Sequence, residues 1–373
     1  MNYFDDIIPA SDWFPELNCE HMIISGPCSA ESEKQVMETA KALKKSGGVH
    51  IFRSGIWKPR TRPGSFEGVG EKGLQWLNRV KEEVGFRTAV EVAAPVHIEK
   101  ALKYNIDLLW IGARTTSNPF SVQELAESLK GVEIPVLVKN PVNPDLGMWI
   151  GALERFYNSG IRKLGAVHRG FYPFEPTKLR NIPKWEVPIE LKTRYHNLPL
   201  FCDPSHISGT KEYIQEIAQK ALDLNMNGLM IEAHINPRKA LSDVAQQLSP
   251  DELSRLLRQL IFREISCEDR KFTDMLESLR EQIDSIDKQI LELLAQRMSV
   301  VGEIGKYKSQ NRVTIFQLRR WEKIISSRVK QGLKLGLSED FIKHLLELVH
   351  KESIQKQTEI MNKQSEDGKI SSD

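Results

Sequence analysis

Cysteine is scarce in this chain. Cys19, Cys28, Cys202 and Cys267 have no framework spacing, so a disulfide scaffold is excluded and reduced thiols are expected. Any thiol with a special role is then metal-binding or catalytic. No apolar run reaches the ~18 residues of a membrane span, and the N-terminus lacks a basic-then-apolar signal pattern. A soluble, cytoplasmic protein without a membrane partner is expected. Net charge is only +2, which gives no bulk attraction for nucleic acid. No GxGxxG follows the first strand-like run, which weakens a dinucleotide-binding reading.

What is present is a chain of 373 residues, 40% hydrophobic, enough for one large core and a smaller unit. Between 20 and 264, short β-branched runs alternate with amphipathic helical patterns. The runs are HMIISG (21–26), VHIFRS (49–54), RTAVEV (87–92), LLWIGA (108–113), PVLVKN (135–140), KLGAVH (163–168), PLFCDP (199–204) and GLMIEA (228–233). This alternation predicts an α/β fold, a (β/α)8 TIM barrel over 1–265, with a doubly wound open sheet as the alternative. The proline-rich span 171–197 reads as a long loop containing one helix, and such loops often cover active sites. SPDELSRLLRQL opens a helix with Ser249 as N-cap and Pro250 in the first turn.

Residues 266–273 read as a polar linker. From 274 to 362 only helical periodicity remains: Leu276, Leu279, Ile283, Ile286, Ile290, Leu293, Val300 and Ile304 mark a helix of ~35 residues, followed by two more. A helix that long suggests intertwining with a second copy, a homodimer or a tetramer. Residues 363–373 read as a disordered tail.

In a TIM barrel, function gathers at the C-terminal ends of the strands. Polar residues fall there after seven of the eight runs. Cys28 follows the first and Arg53 ends the second, with Lys58 and Arg60 in its loop. Arg114 follows the fourth, Lys139 ends the fifth, Arg169 follows the sixth and His206 the seventh. Glu232 ends the eighth, with Asp243 beyond. The cations imply multiply anionic ligands, phosphate and carboxylate. Cys28, His206, Glu232 and Asp243 form a mixed donor set for a divalent metal, suited to Mn, Fe, Co or Zn better than Mg.

GPCSAE (26–31), KPRT (58–61), IGAR (111–114), VKNP (138–141), HRGF (168–171), DPSHISG (203–209) and GLMIEAH with KALSDVAQQL (228–248) together resemble 3-deoxy-D-arabino-heptulosonate 7-phosphate (DAHP) synthase, type I-beta. Octulosonate-phosphate synthase is the rival within the fold. The resemblance implies that Arg53, Arg114, Lys139 and Arg169 clamp phosphoenolpyruvate, and that Lys58, Arg60 and Thr61 hold erythrose 4-phosphate. It further implies a divalent metal, Mn first, on Cys28, His206, Glu232 and Asp243. Lys58 is the expected proton donor and Asp203 the expected contact to the aldose hydroxyls. Arg62-Pro63-Gly64 stands where the family usually has Ser-Pro-Tyr.

LREQIDSIDKQILELLAQR (279–297), GKYK (305–308), FQLRRWE (316–322) and ESIQKQ (352–357) resemble the all-helical, AroQ class of chorismate mutase. The matching positions are Arg280, Arg297, Lys308, Arg320, Ser353 and Gln357, and Gln317 keeps a side chain able to hydrogen-bond a substrate hydroxyl. Gln317 and Trp321 stand where the family usually has acidic residues. On one helix Arg297 and Lys308 lie within ~20° of a common face, and Arg280 lies ~100° from Arg297. Arg280 is therefore expected to serve a partner chain's site. The resemblance implies conversion of chorismate to prephenate, with feedback on the barrel through the helical domain. The alternative is a DAHP synthase whose helices only sense chorismate or prephenate and dimerise the chain.

Overall fold

A computed structural model describes residues 4–58, 66–263 and 269–370, with side chains as far as 363. Arg60 and Thr61 lie outside the described residues, as does Cys267. The chain divides into two compact units, Met1–Ile265 and Ser266–Asp373.

In the first unit eight parallel strands close into a barrel in sequence order, β1 to β8. They are β1 Met22–Gly26, β2 Ile51–Arg53, β3 Arg87–Val92, β4 Leu108–Ile111, β5 Val136–Lys139, β6 Leu164–His168, β7 Leu200–Cys202 and β8 Gly228–Glu232. β1 pairs with both β2 and β8, which closes the ring. Closure rules out the open-sheet alternative. The ends of most runs fall one or two residues inside the sequence limits, because the last residues turn out of the ladder to form the site.

Two apolar layers hold the barrel. Leucines, isoleucines and valines fill the space between the strands and the surrounding helices. Inside the barrel, Met22, Ile24, Ile51, Ala89, Leu108, Trp110, Leu137, Val167, Phe201 and Met230 form a separate cluster, closed below by Ala10, Trp13 and Phe14. Trp13 stacks on Phe201 at 5.8 Å. Strand side chains alternate in direction, so the next inward residue after each core residue lies two positions on. That places Arg53 after Ile51, Glu91 after Ala89, Lys139 after Leu137 and Glu232 after Met230. One inward face thus carries the core at the bottom and the charges at the top.

The expected helix inside the 171–197 span is Glu186–Arg194. Ser249 caps Pro250–Gln259 with a full capping box to Glu252.

The second unit has three helices: Arg270–Gln310, Leu318–Lys334 and Glu339–Ile370. The first starts earlier than the expected linker boundary of 273. The Asp269 carboxylate accepts from the backbone N–H of Lys271 and Phe272, and this cap nucleates the helix there. The third continues to Ile370, past the 363 boundary expected for a disordered tail; no proline interrupts that segment. The first and third helices pack closely around Gly305, where a Cβ would sit 3.2 Å from the Gln357 Cγ. Met275, Leu279, Ile283, Ile286, Ile290 and Leu293 form a stripe along the first helix, each 48–63% exposed. No described helix is long and apolar enough to cross a membrane.

Candidate active sites

The barrel mouth brings the predicted charges into one pocket. Arg53, Lys58, Arg114, Lys139, Arg169, His206 and Asp243 line it. Arg53 is 1% exposed, over the Trp110 ring at 4.7 Å, with one Nη 3.5 Å from Glu232. Its Nε and other Nη have no hydrogen-bond partner in the protein. A buried guanidinium with free N–H groups facing a polar pocket is a built anion receptor. Arg169 donates to the Asn181 amide oxygen at 2.8 Å, and its backbone N–H donates to Asn140 Oδ1 at 2.7 Å. Burial pushes its pKa down to about 10, which still leaves it cationic at neutral pH.

Cys28, Glu232 and Asp243 offer ligand atoms that all lie within 4.8 Å of one another. The Cys28 thiol donates to Asp243 Oδ2 at 3.1 Å, and Lys58 Nζ lies 3.3 Å from the same sulfur. Glu232 is fully buried; its Oε2 accepts from Gln246, and its Oε1 has no hydrogen-bond partner. His206 borders the group with Nε2 3.8 Å from that oxygen. Burial pushes the Cys28 thiol up to about 12, with Glu232 adding to the effect. Burial works against the Asp243 carboxylate, yet His206 and Arg180 hold it well below its usual range. A buried thiol, two carboxylates and an imidazole converging around an unsatisfied oxygen fit a divalent cation.

Asp203, expected at the aldose hydroxyls, lies among the other charged groups of the mouth. It is fully buried, and Oδ2 accepts from Lys139 at 2.6 Å and sits 2.7 Å from His206 Nδ1. Its Oδ1 takes the His206 backbone N–H. Burial would raise its pKa, but His206 and Lys139 keep it well below the carboxylate range. These contacts let the Asp203 carboxylate orient Lys139 and His206.

Two pocket residues escaped the sequence reading. Arg180 comes from the long loop after β6 and bonds Asp243 Oδ1 at 2.9 Å and Gln246 Oε1 at 2.7 Å. It thereby supports both carboxylates of the cluster, Glu232 through Gln246. Asp243 has φ of 49°, a left-handed conformation uncommon outside glycine. Glu91 ends the inward face of β3 beside Gly112 and Lys58. Its signal was the two-residue step from Ala89. Arg180 had no comparable signal, because loop geometry set its position.

In the helical unit, Arg297 donates to Ser353 Oγ at 2.6 Å, and that hydroxyl in turn donates to the Val349 carbonyl. Lys308 Nζ donates to the Ile315 carbonyl at 2.6 Å. Ser353 and Gln357 are buried, and the Gln357 Oε1 has no partner. Partial burial lowers the pKa of both Arg297 and Lys308. Gln317 and Arg320 are exposed at the start of the second helix. Trp321 stacks on His350 at 3.9 Å. Arg280 stands apart, 59% exposed and paired with Glu277 at 2.6 Å. It lies seventeen residues before Arg297 on one unbroken helix, about 25 Å away.

Residues 18–265 match the DAHP synthetase I family, and residues 279–358 match chorismate mutase type II. A phospho-2-dehydro-3-deoxyheptonate aldolase of Thermotoga maritima is 34% identical over 238 residues, covering 64% of this chain and 68% of that protein. A 2-dehydro-3-deoxyphosphooctonate aldolase of Desulfotalea psychrophila is 27% identical over 266 residues, covering 64% of this chain and 88% of its own length. The crystal structure of the Thermotoga maritima DAHP synthase superposes with a TM-score of 0.58 at 30% identity, covering 64% of this chain and 67% of that one. With a match spanning most of its length and a barrel closed in the same order as its strands, the chain belongs to the DAHP synthetase I family and carries a chorismate mutase type II domain at its C-terminus.

Proposed function

We propose that the barrel condenses phosphoenolpyruvate with erythrose 4-phosphate, giving DAHP and inorganic phosphate, in a metal-dependent reaction. The observation that carries this is one pocket in which Arg53, Lys58, Arg114, Lys139 and Arg169 face the Cys28–Glu232–Asp243 cluster. Arg53, Arg114, Lys139 and Arg169 bind the phosphate and carboxylate of phosphoenolpyruvate. Lys58, with Arg60 and Thr61, holds erythrose 4-phosphate. Cys28, His206, Glu232 and Asp243 would hold a divalent cation, Mn first and Fe, Co or Zn in its place, which supplies Lewis-acid polarisation of the aldehyde.

Carbon 3 of phosphoenolpyruvate adds to the aldehyde carbon. Water adds at carbon 2, and the phosphate leaves with its bridging oxygen. Lys58 gives its proton to the new hydroxyl oxygen. Burial alone would lower the Lys58 pKa, but the Cys28 sulfur, Glu91 and Glu232 outweigh it and raise the pKa, so it is an ammonium. Fixed cations and positioning supply the rate without a covalent intermediate. Chelator treatment is expected to stop consumption of phosphoenolpyruvate, and Mn to restore it, while chorismate turnover continues. Activity that persists in a chelated, metal-free preparation would remove the metal role. Preference for arabinose 5-phosphate over erythrose 4-phosphate would reassign the substrate.

The helical unit rearranges chorismate to prephenate. The step is pericyclic and needs no base or nucleophile, only binding of two carboxylates and stabilisation of charge on the ether oxygen. Arg297, Arg320 and a partner's copy of Arg280 suit the carboxylates; Lys308 and Gln357 suit the ether oxygen; Gln317 and Ser353 suit polar contacts. The homodimer rests on the exposed apolar stripe of the first helix and on the ~25 Å between Arg280 and Arg297, too far apart for one small ligand.

Feedback control follows from joining the two activities on one cytoplasmic chain. Chorismate or prephenate is expected to slow the barrel reaction at saturating concentration. Rates unchanged by either compound would reject this.

A further inference from the structure

We propose that His350 is a specificity-determining residue of the mutase site, whose Nε2 hydrogen-bonds the hydroxyl group of chorismate. This rests on reading the helical unit as a chorismate-binding site.

His350 lies outside every motif that pointed to that site, yet the structure places it there. Positions 350, 353 and 357 of the third helix share one face, so His350 adjoins Ser353 and Gln357. Its ring lies nearly parallel to the Trp321 indole, with centroids 3.9 Å apart and planes 15° apart. Phe316 packs beside it at 5.8 Å. The two aromatics fix the ring plane and therefore the direction of its nitrogens. The Nε2 is shielded from solvent and has no hydrogen-bond partner in the protein. Gln357 Oε1 on the same face is in the same condition. Between them, the Ser353 hydroxyl is already engaged by Arg297 and the Val349 carbonyl. Leaving two shielded polar atoms unmet is unfavourable, and a ligand with neutral polar groups relieves it.

The chemistry of the ring selects the group. Partial burial, Arg297 and Lys308 all lower the His350 pKa, so the imidazole is neutral at pH 7. A neutral imidazole nitrogen donates or accepts according to its tautomer, which matches a hydroxyl. The nearby cations take the carboxylates. Trp321, where an acidic side chain was expected, offers only an indole N–H, and its face is occupied by the imidazole. The stacked pair thus adds one oriented nitrogen able to accept as well as donate, where Trp321 alone has only a donor.

The bland alternative is that His350 only packs against Trp321. Two variants of the full-length chain separate these roles. His350→Phe keeps an aromatic ring for stacking and deletes the polar atom. His350→Gln deletes the ring and keeps a polar group at a similar reach. For His350→Phe the KM for chorismate is expected to rise about tenfold with a smaller change in kcat, and His350→Gln is expected to recover most of the loss. A KM within twofold of the parent in His350→Phe, or an equal loss in both variants, would overturn the proposal. On the unaltered chain, a chorismate analogue lacking the hydroxyl is expected to bind about tenfold more weakly, and equal binding also overturns it. This second measurement decides the matter if His350→Phe fails to fold. Failure of the mutase reading is distinguishable: the parent chain would then neither bind nor convert chorismate, while the barrel reaction in the same preparation stayed intact.

Discussion

Cys28→Ala is expected to lower DAHP formation by about 10²–10³-fold and leave chorismate turnover unchanged. The thiol lies at the centre of the barrel site, in contact with Asp243 and Lys58 and facing Glu232. Its pKa of about 12 reflects burial beside two carboxylates, surroundings that favour a bound cation over a free thiolate. Alanine removes the soft donor and leaves two carboxylates and an imidazole, a set that binds divalent ions more weakly. Two readouts keep the effect interpretable. Metal content after dialysis is expected to fall with activity, and excess Mn to recover part of the rate. The mutase rate reports on folding of the rest of the chain. Full synthase activity in the alanine variant would remove Cys28 from the site.

Arg297→Ala is expected to lower conversion of chorismate by about 10²–10³-fold, with the synthase unaffected. Arg297 bonds Ser353 across two helices, and its removal deletes a carboxylate anchor and loosens that contact. Arg280→Ala is expected to be similarly inactive although the residue lies ~25 Å along the same helix. Co-expressing the two variants tests why. If each site takes Arg297 from one chain and Arg280 from its partner, half of the randomly paired dimers contain one intact site, and about a quarter of the parental activity returns. No recovery in mixed dimers would place both residues in one chain's site or remove Arg280 from it. A parent chain that binds chorismate without converting it would make the helices a ligand sensor, with Trp321 and Gln317 as the substitutions that ended turnover.

The barrel was legible because its signals are periodic. Each strand appeared as a β-branched run, and the charges were found because they fall at or just after the C-terminal ends of those runs. Even Glu91 could have been found that way, one step above Ala89. Residues placed by irregular backbone were not legible. Arg180 sits on a long loop and reaches Asp243 only because that loop folds back over the mouth. The aldose contact expected of Asp203 came from the resemblance, and sequence spacing does not reveal that Lys139 and His206 both lie against its Oδ2. In the helical unit, Arg297 and Lys308 came from the resemblance to the AroQ class, and helix geometry agreed by putting them on one face. His350 did not, because its significance depends on a Trp321 ring from another helix.

The row of charges above the barrel's inner core has a consequence for heat stability. Arg53, Lys139, Glu232 and Asp203 are held almost out of water, and the Arg53 guanidinium keeps two nitrogens unpaired within the protein. Burying charge in this way opposes folding unless the charge is matched. A ligand bearing both phosphate and carboxylate matches it only when the strands stand in their closed order. Phosphoenolpyruvate, the ligand proposed for this pocket, is expected to bind the folded barrel and not the unfolded chain, and so to raise the melting temperature of the closed ring.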